Sequence, residues 1–519
     1  MKSHNTRRIL LLGLSLLATL LFAIAADGAP LYTITVNVND AGAGTVTLYP
    51  YKTAYAKNNV ITLTAVPSPG TEWKFDRWSG ALSGTQNPTT LRVGSSVTVT
   101  ANFIKPGSGG GTDRPSLPTS RMIVGYFAQW AIYQRDYLVK NVEDSGAAKA
   151  MNVMNYAFAA PDASLRCVSL DPFADYGKAF SASESVDGVA DTSSQSLKGN
   201  FNQILKLKAR HPHLRVLLSL GGWTESTYFS DAALAVNRKA FVQSCIDTFM
   251  RGNTAGVFDG FDVDWEYPAS CGLTCNFRPE DQDNFPALLT EFRTQLEELE
   301  SQVEVTTGKR PEYLLTVATS AGYAKYSTMK LADVATAVDW VNVMAYDFHG
   351  PFEPTGPANH AAPLQRSPCD PETADWGDKA VLGHLARDVP ASKLLLGVPF
   401  YGHGWRGVAA VGNGLCQPAS GLARGTYERG TNDYKVLDAQ LRPEFSDPLT
   451  ATRWTFNGTE FWSFDDEQTL GWKADYVNQD HGTFGPLRGV MFWELSGDRS
   501  DGRLLKALRQ SLGEVIPTQ

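Results

Sequence analysis

Basic charge is in short supply. The chain has 46 Lys and Arg against 54 Asp and Glu, a formal net charge of −8, and no stretch gathers the cations into a patch. Binding to a phosphate backbone needs such a patch, so nucleic acid is not an expected partner. Cysteine is scarce too, with six in 519 residues. Cys167, Cys245, Cys271, Cys275, Cys369 and Cys416 do not have the spacings of a zinc site, so neither a metal nor a cofactor is expected. Their even number fits disulfides formed after export. Cys271 and Cys275 are close enough in one loop to pair, and the remaining pairing stays open. Long apolar runs are missing except at the start, where Lys2, Arg7 and Arg8 precede the apolar run 9–26 and Ala23-Ile24-Ala25 offers a cleavage pattern. Residues 1–25 therefore read as a secretory signal peptide, and the protein is expected outside the cell with no membrane contact after its removal.

Aromatics are plentiful, with 12 Trp and 19 Tyr. Residues 31–104 alternate apolar and polar side chains in short runs (TITVNV, VITLTA, VTVTANF) between Gly, Pro and Asn turns, the signature of a small all-β domain. Trp73, Trp78, Tyr49 and Tyr55 could line a sugar-binding face there. In a domain this small they are expected to fill the core instead. The segment resembles the all-β bacterial repeat modules of secreted proteins. Residues 105–120, KPGSGGGTDRPSLPTS, form a Gly/Pro/Ser linker.

From 121 to 519 eight apolar, β-branched runs recur: 122–130, 151–159, 214–223, 256–266, 313–322, 340–350, 393–402 and 488–497. Helix-like stretches lie between several of them. Eight buried strands alternating with helices predict an α/β fold, a (β/α)8 TIM barrel, preceded by the small all-β domain. This unit exceeds the roughly 250 residues usual for the fold. An α+β insertion is expected between strands 7 and 8, at about 401–487.

The fourth run contains DGFDVDWEYP. Asp262, Asp264 and Glu266 alternate with Phe261, Val263 and Trp265, so a strand would point the acids to one side. Acids two residues apart lie about 6.6 Å from each other. At an effective dielectric of 20 each such pair repels by about 2.5 kcal/mol, and the row by about 6 kcal/mol. No Lys or Arg is interleaved to offset this. The repulsion predicts a proton held on Glu266 near neutral pH, where it can serve as a general acid. A calcium or magnesium site would need further oxygens from elsewhere to encircle the ion.

DGFDVDWEYP resembles the DxxDxDxE signature of family 18 glycoside hydrolases, the chitinases. SLGGW at 219–223, MAYDFHG at 344–350 and GVMFWELSGD at 489–498 resemble that family's motifs on strands three, six and eight, in its order. The resemblance implies a secreted, monomeric chitinase. It would cleave β-1,4-N-acetylglucosamine linkages in chitin and chitooligosaccharides, with the substrate's acetamido oxygen as nucleophile and the anomeric configuration retained. Glu266 matches the acid/base, Asp264 the residue that holds the acetamido N–H, Asp262 its proton-sharing neighbour, and Tyr346 the phenol that orients the acetamido oxygen. Asp259 is off the stripe's parity and structural. For substrate binding the resemblance implies Tyr126, Phe158, Trp223, Tyr267, Met344, Asp347, Trp493, Glu428, His403 and Trp130. His403 stands in YGHGW where several bacterial relatives have YGRGW with a sugar-contacting Arg. Ser219, Gly221 and Gly222 are expected to support the strand and to take no part in the chemistry. An endo-N-acetylglucosaminidase acting on glycans and a non-catalytic chitin lectin are the competing functions.

Overall fold

The computed structural model describes residues 30–39, 42–69, 73–82, 84, 86–104 and 121–513; the leader read at 1–25 and the linker at 105–120 lie outside them. The chain divides into two units, with the boundary after Gly109.

The first unit holds two three-stranded sheets. Ile34–Val38 runs parallel to Val97–Ile104, which pairs antiparallel with Lys74–Gly80. Gly44–Tyr49, Val60–Pro67 and Thr89–Arg92 form an antiparallel sheet. Period two decides the core: Ile61, Leu63 and Ala65 are buried, while Val60 and Val66 are exposed. Trp78 and Tyr55 belong to this core. Tyr49 is 78% exposed.

In the second unit eight parallel strands close on themselves. They are β1 (Met122–Ala128), β2 (Val153–Pro161), β3 (Arg215–Gly221), β4 (Gly260–Asp264), β5 (Leu314–Ser320), β6 (Trp340–Met344), β7 (Leu394–Pro399) and β8 (Gly489–Trp493). Each pairs with the next, and β8 pairs with β1. The strands read as continuous apolar runs because both faces are covered, one by the barrel interior and the other by helices. On β4 the odd positions face outward. Phe261 meets Phe292 at 5.4 Å between ring centroids, and just beyond the strand Trp265 stacks on Phe229 at 5.6 Å. Phe292 belongs to the helix Asp281–Thr307, which buries Phe285, Leu288, Leu289, Leu296 and Leu299 at helical spacing. Each such side chain contributes roughly 1.5–3 kcal/mol of transfer free energy. Gly308, at φ 74°, ends that helix in the left-handed conformation.

Between β7 and β8 an antiparallel sheet is built on Tyr401–Arg406. It pairs with Thr431–Asp433 on one side and Glu460–Phe464 on the other, the latter continuing through Thr452–Phe456 to Glu444–Asp447. Trp405, Phe456 and Phe461 form a core of its own. The sheet ends at Phe464, short of the expected 487. The next helix, Glu467–Asn478, puts Leu470, Ala474 and Val477 into the main core and so belongs to the barrel's outer ring. Cys167–Cys245, Cys271–Cys275 and Cys369–Cys416 are disulfide-bonded.

Candidate active site

At the C-terminal end of the barrel the even-numbered acids of β4 face inward. Strand register aligns Ser219 of β3, Asp262 of β4 and Thr316 of β5 in one row. Asp262 is fully buried and accepts four hydrogen bonds: Tyr126 Oη at 2.6 Å, Ser219 Oγ at 2.8 Å, Thr316 Oγ1 at 2.5 Å and Asn342 Nδ2 at 3.2 Å. Four donors converging on two oxygens suit the ionised form. Asp264 is buried as well, but its Oδ1 has no hydrogen-bond partner. Glu266 lies two residues past the strand and is half-buried. Its backbone N–H donates to Ser226 Oγ at 2.9 Å, and its carboxylate accepts from the Tyr267 hydroxyl. Asp259, off the stripe, accepts from the Val216 amide at 2.8 Å and pairs with Lys208 at 3.0 Å.

The cause of protonation differs from the sequence expectation. Burial raises all three carboxyls, and it is the largest influence on each. On Asp264 the charges of Glu266 and Asp262 add to it, holding this carboxyl well above its ordinary value. Glu266 is pushed up to about 7 by burial; the Tyr267 hydrogen bond opposes this and the charge of Asp347 assists it. Repulsion along the stripe therefore acts chiefly on the middle acid. Period two describes direction along a strand but not loss of water, which depends on what the other strands bring over the acids.

Rings cover this row. Trp493, the last residue of β8, packs against Tyr126 at 5.3 Å, Phe158 at 5.7 Å and Trp130 at 6.2 Å between centroids. Phe158 and Trp493 are nearly parallel, at 15°. Trp130 and Trp223 are exposed at 41% and 50%. Met344 and Tyr346 both join the apolar cluster inside the barrel, and Tyr346 Oη lies 3.8 Å from Met491 Sδ. Asp347 follows in the left-handed region, at φ 57°. Glu428 is exposed on an insertion loop and lines a cavity of about 420 Å³ with Tyr427 and Arg424.

His403 lies beside Asp347. Its side chain is buried, with Nε2 2.8 Å from Asp347 Oδ1 and Nδ1 3.3 Å from the Gly430 carbonyl.

Sequence reading missed four polar residues. Ser219 was expected only to support the strand, yet it donates directly to Asp262. Thr316, Asn342 and Ser226 were not singled out. A lone polar side chain inside an apolar strand run was the available signal for Thr316 and Asn342. Gly222 shapes the site as well: at φ 82°, a Cβ there would lie 2.7 Å from the Phe158 ring.

Among known proteins, the chain is similar to chitinases. Chitinase 63 of Streptomyces plicatus is 37% identical over 409 residues, covering 78% of this chain and 63% of the relative. Chitinase A1 of Niallia circulans is 37% identical over 445 residues, covering 77% of this chain and 59% of the relative. The chain thus spans about three fifths of the length of these relatives. Among solved structures, the catalytic domain of a psychrophilic chitinase B from Arthrobacter TAD20 superposes with a TM-score of 0.70 at 35% identity, covering 76% of this chain and 97% of that one. Residues 34–106 match the divergent InlB B-repeat domain. Residues 122–498, which hold all eight barrel strands up to Trp493 and the whole acidic row, match the glycosyl hydrolases of family 18, and the chain belongs to that family.

Proposed function

We propose that this protein is a chitinase, exported by its N-terminal leader, which hydrolyses β-1,4-N-acetylglucosamine linkages with retention of configuration. The single observation that carries the reading is Asp264: a buried carboxyl whose Oδ1 lacks any partner, next to a half-buried acid poised at about 7. An unpartnered buried oxygen is costly, and the N–H of a substrate acetamido group would supply its missing hydrogen bond. A retaining pair of carboxylates needs one group on each side of the sugar. Membership of family 18 implies instead that the substrate's own acetamido oxygen is the nucleophile. Glu266 protonates the leaving oxygen and then deprotonates water. Asp264 holds the acetamido N–H and offsets the positive charge that develops. Tyr346 directs its hydroxyl at the acetamido oxygen, and Trp493 is the apolar floor for the pyranose ring. Trp130 and Trp223 extend the stacking surface into the groove, with Tyr126, Phe158, Tyr267, Met344, Asp347 and Glu428 along its walls. Three disulfides fit an oxidising compartment.

The test is cleavage of chitin oligosaccharides beside a high-mannose glycopeptide, with products read by NMR before mutarotation. Oligosaccharide cleavage with a fresh β anomer is expected. Cleavage of the glycopeptide alone would exclude a chitinase, and a majority of α product would exclude the acetamido route.

A further inference from the structure

We infer that Asp175 and Gln129 form a positioning pair for Phe158, and that they set the stack of rings on which a sugar rests beside the acidic row. The inference rests on the reading of Phe158, Trp130 and Trp493 as substrate contacts. Barrel register passes over Phe158. On β2, Ala157 pairs with Ser219 of β3 and Ala159 with Leu220, so Phe158 stands out of the ladder as a bulge. Pairing with β1 also stops at Ala157, opposite Ala128. The Phe158 amide donates instead to a side chain, Gln129 Oε1 at 3.3 Å. Gln129 opens the helical turn after β1, so this bond ties the bulge to the end of the neighbouring strand. The tethered ring lies 5.7 Å from Trp493, nearly parallel to it, and 6.1 Å from Trp130 between centroids.

A carboxamide can present either end to a neighbour, and the wrong end would set an NH2 against the Phe158 N–H. Asp175 removes the choice. Its Oδ1 accepts from Gln129 Nε2 at 2.9 Å. A carboxylate can only accept, so Nε2 turns toward Asp175 and Oε1 toward Phe158. Asp175 is held in its turn: Tyr156 Oη donates to Oδ1 at 2.5 Å and Ser169 Oγ to Oδ2 at 2.6 Å. Asn200 Nδ2 donates to Tyr156 Oη at 2.9 Å. Gln129, Tyr156, Asp175 and Asn200 are all buried. Burial raises the Asp175 carboxyl to about 6 against the pull of its three donors. Two donors occupy Oδ1, so a proton goes to Oδ2, where the Ser169 hydroxyl can turn to accept it. The bond to Gln129 survives that change. Asp175→Asn, with its NH2 toward Ser169, should preserve the bond for the same reason.

Two measurements test the pair. The first is steady-state kinetics on a soluble chitin oligosaccharide with Q129L, D175A and D175N. Q129L and D175A should raise KM roughly fivefold, the worth of one hydrogen bond, while kcat stays within about twofold because neither residue touches the acids. D175N should keep the wild-type KM. An unchanged KM in Q129L, a loss of kcat at constant KM, or a D175N as impaired as D175A would overturn the inference. The second is hydrogen exchange at the Phe158 amide, which needs no substrate and, in its wild-type arm, no variant. The amide should be protected although it is off the ladder, and should exchange at least about tenfold faster in Q129L. Wild-type exchange as fast as in an open loop would overturn the pairing. If the wild type left chitin oligosaccharides uncut, the proposed function would fall, and exchange at Phe158 would still judge the pair.

Discussion

Asp262→Asn changes no volume and removes one acceptor group, so it isolates what the four donors around Asp262 are worth. The carboxylate receives hydrogen bonds from Tyr126, Ser219, Thr316 and Asn342. An amide offers one oxygen with two lone pairs and turns an NH2 toward the other donors. Asn342 can only donate, so the amide oxygen stays toward it and Thr316, and the buried Tyr126 and Ser219 O–H groups lose their acceptor. Each buried, unsatisfied polar group costs about 1–3 kcal/mol, so the loss should be about 2–6 kcal/mol. Urea midpoints at pH 7, compared at equal slope, measure it. Ser219→Ala supplies the control: it should cost less in the Asp262→Asn background than in wild type, because that hydroxyl has already lost its acceptor, with a coupling of about 0.5–3 kcal/mol. A loss below about 1 kcal/mol with additive single changes would refute the reasoning. It would mean that Asp262 is already protonated in the native protein.

Glu266→Gln should bind chitin oligosaccharides with near wild-type affinity by calorimetry while turnover falls by about 10³ or more, since the amide keeps shape but has no proton to give. The kcat/KM profile of the wild type should fall on its alkaline side around pH 7, where Glu266 loses its proton; a flat profile to pH 9 would contradict its assignment as the acid. Gly222→Ala should cost roughly 1 kcal/mol in backbone strain and displace the Phe158 ring, raising KM several-fold more than it lowers kcat in steady-state assays. Burial opposes the charge on His349, but hydrogen bonds to Asp370 and Glu353 outweigh it and raise its pKa to about 9. A raised pKa stabilises the fold most fully below about 6.5 and stops doing so as pH climbs through about 9. The melting-temperature deficit of His349→Gln should therefore be largest near pH 6, worth up to about 3 kcal/mol, and shrink by pH 10.

The sequence alone determined the barrel and its chemistry-bearing row. Eight apolar runs carry strand signals that do not depend on long-range context, because a strand covered on both faces has to be apolar throughout. Alternation along DGFDVDWE is equally local, so the side to which Asp262, Asp264 and Glu266 point was legible. The fates of Trp78 and Tyr55 followed from the size of the N-terminal unit. Tertiary structure decided how much water each acid keeps, and hence which of them burial pushes upward and which finds donors. Ser219, Thr316 and Asn342 meet Asp262 across register between strands separated by 43, 54 and 80 residues, and no one-dimensional period encodes that distance. The same holds for His403, whose role as the partner of Asp347 was settled by the folding of the insertion's sheet against the loop after β6. Hydrogen bonds and desolvation are properties of neighbours in space; a sequence specifies them only through the fold it closes.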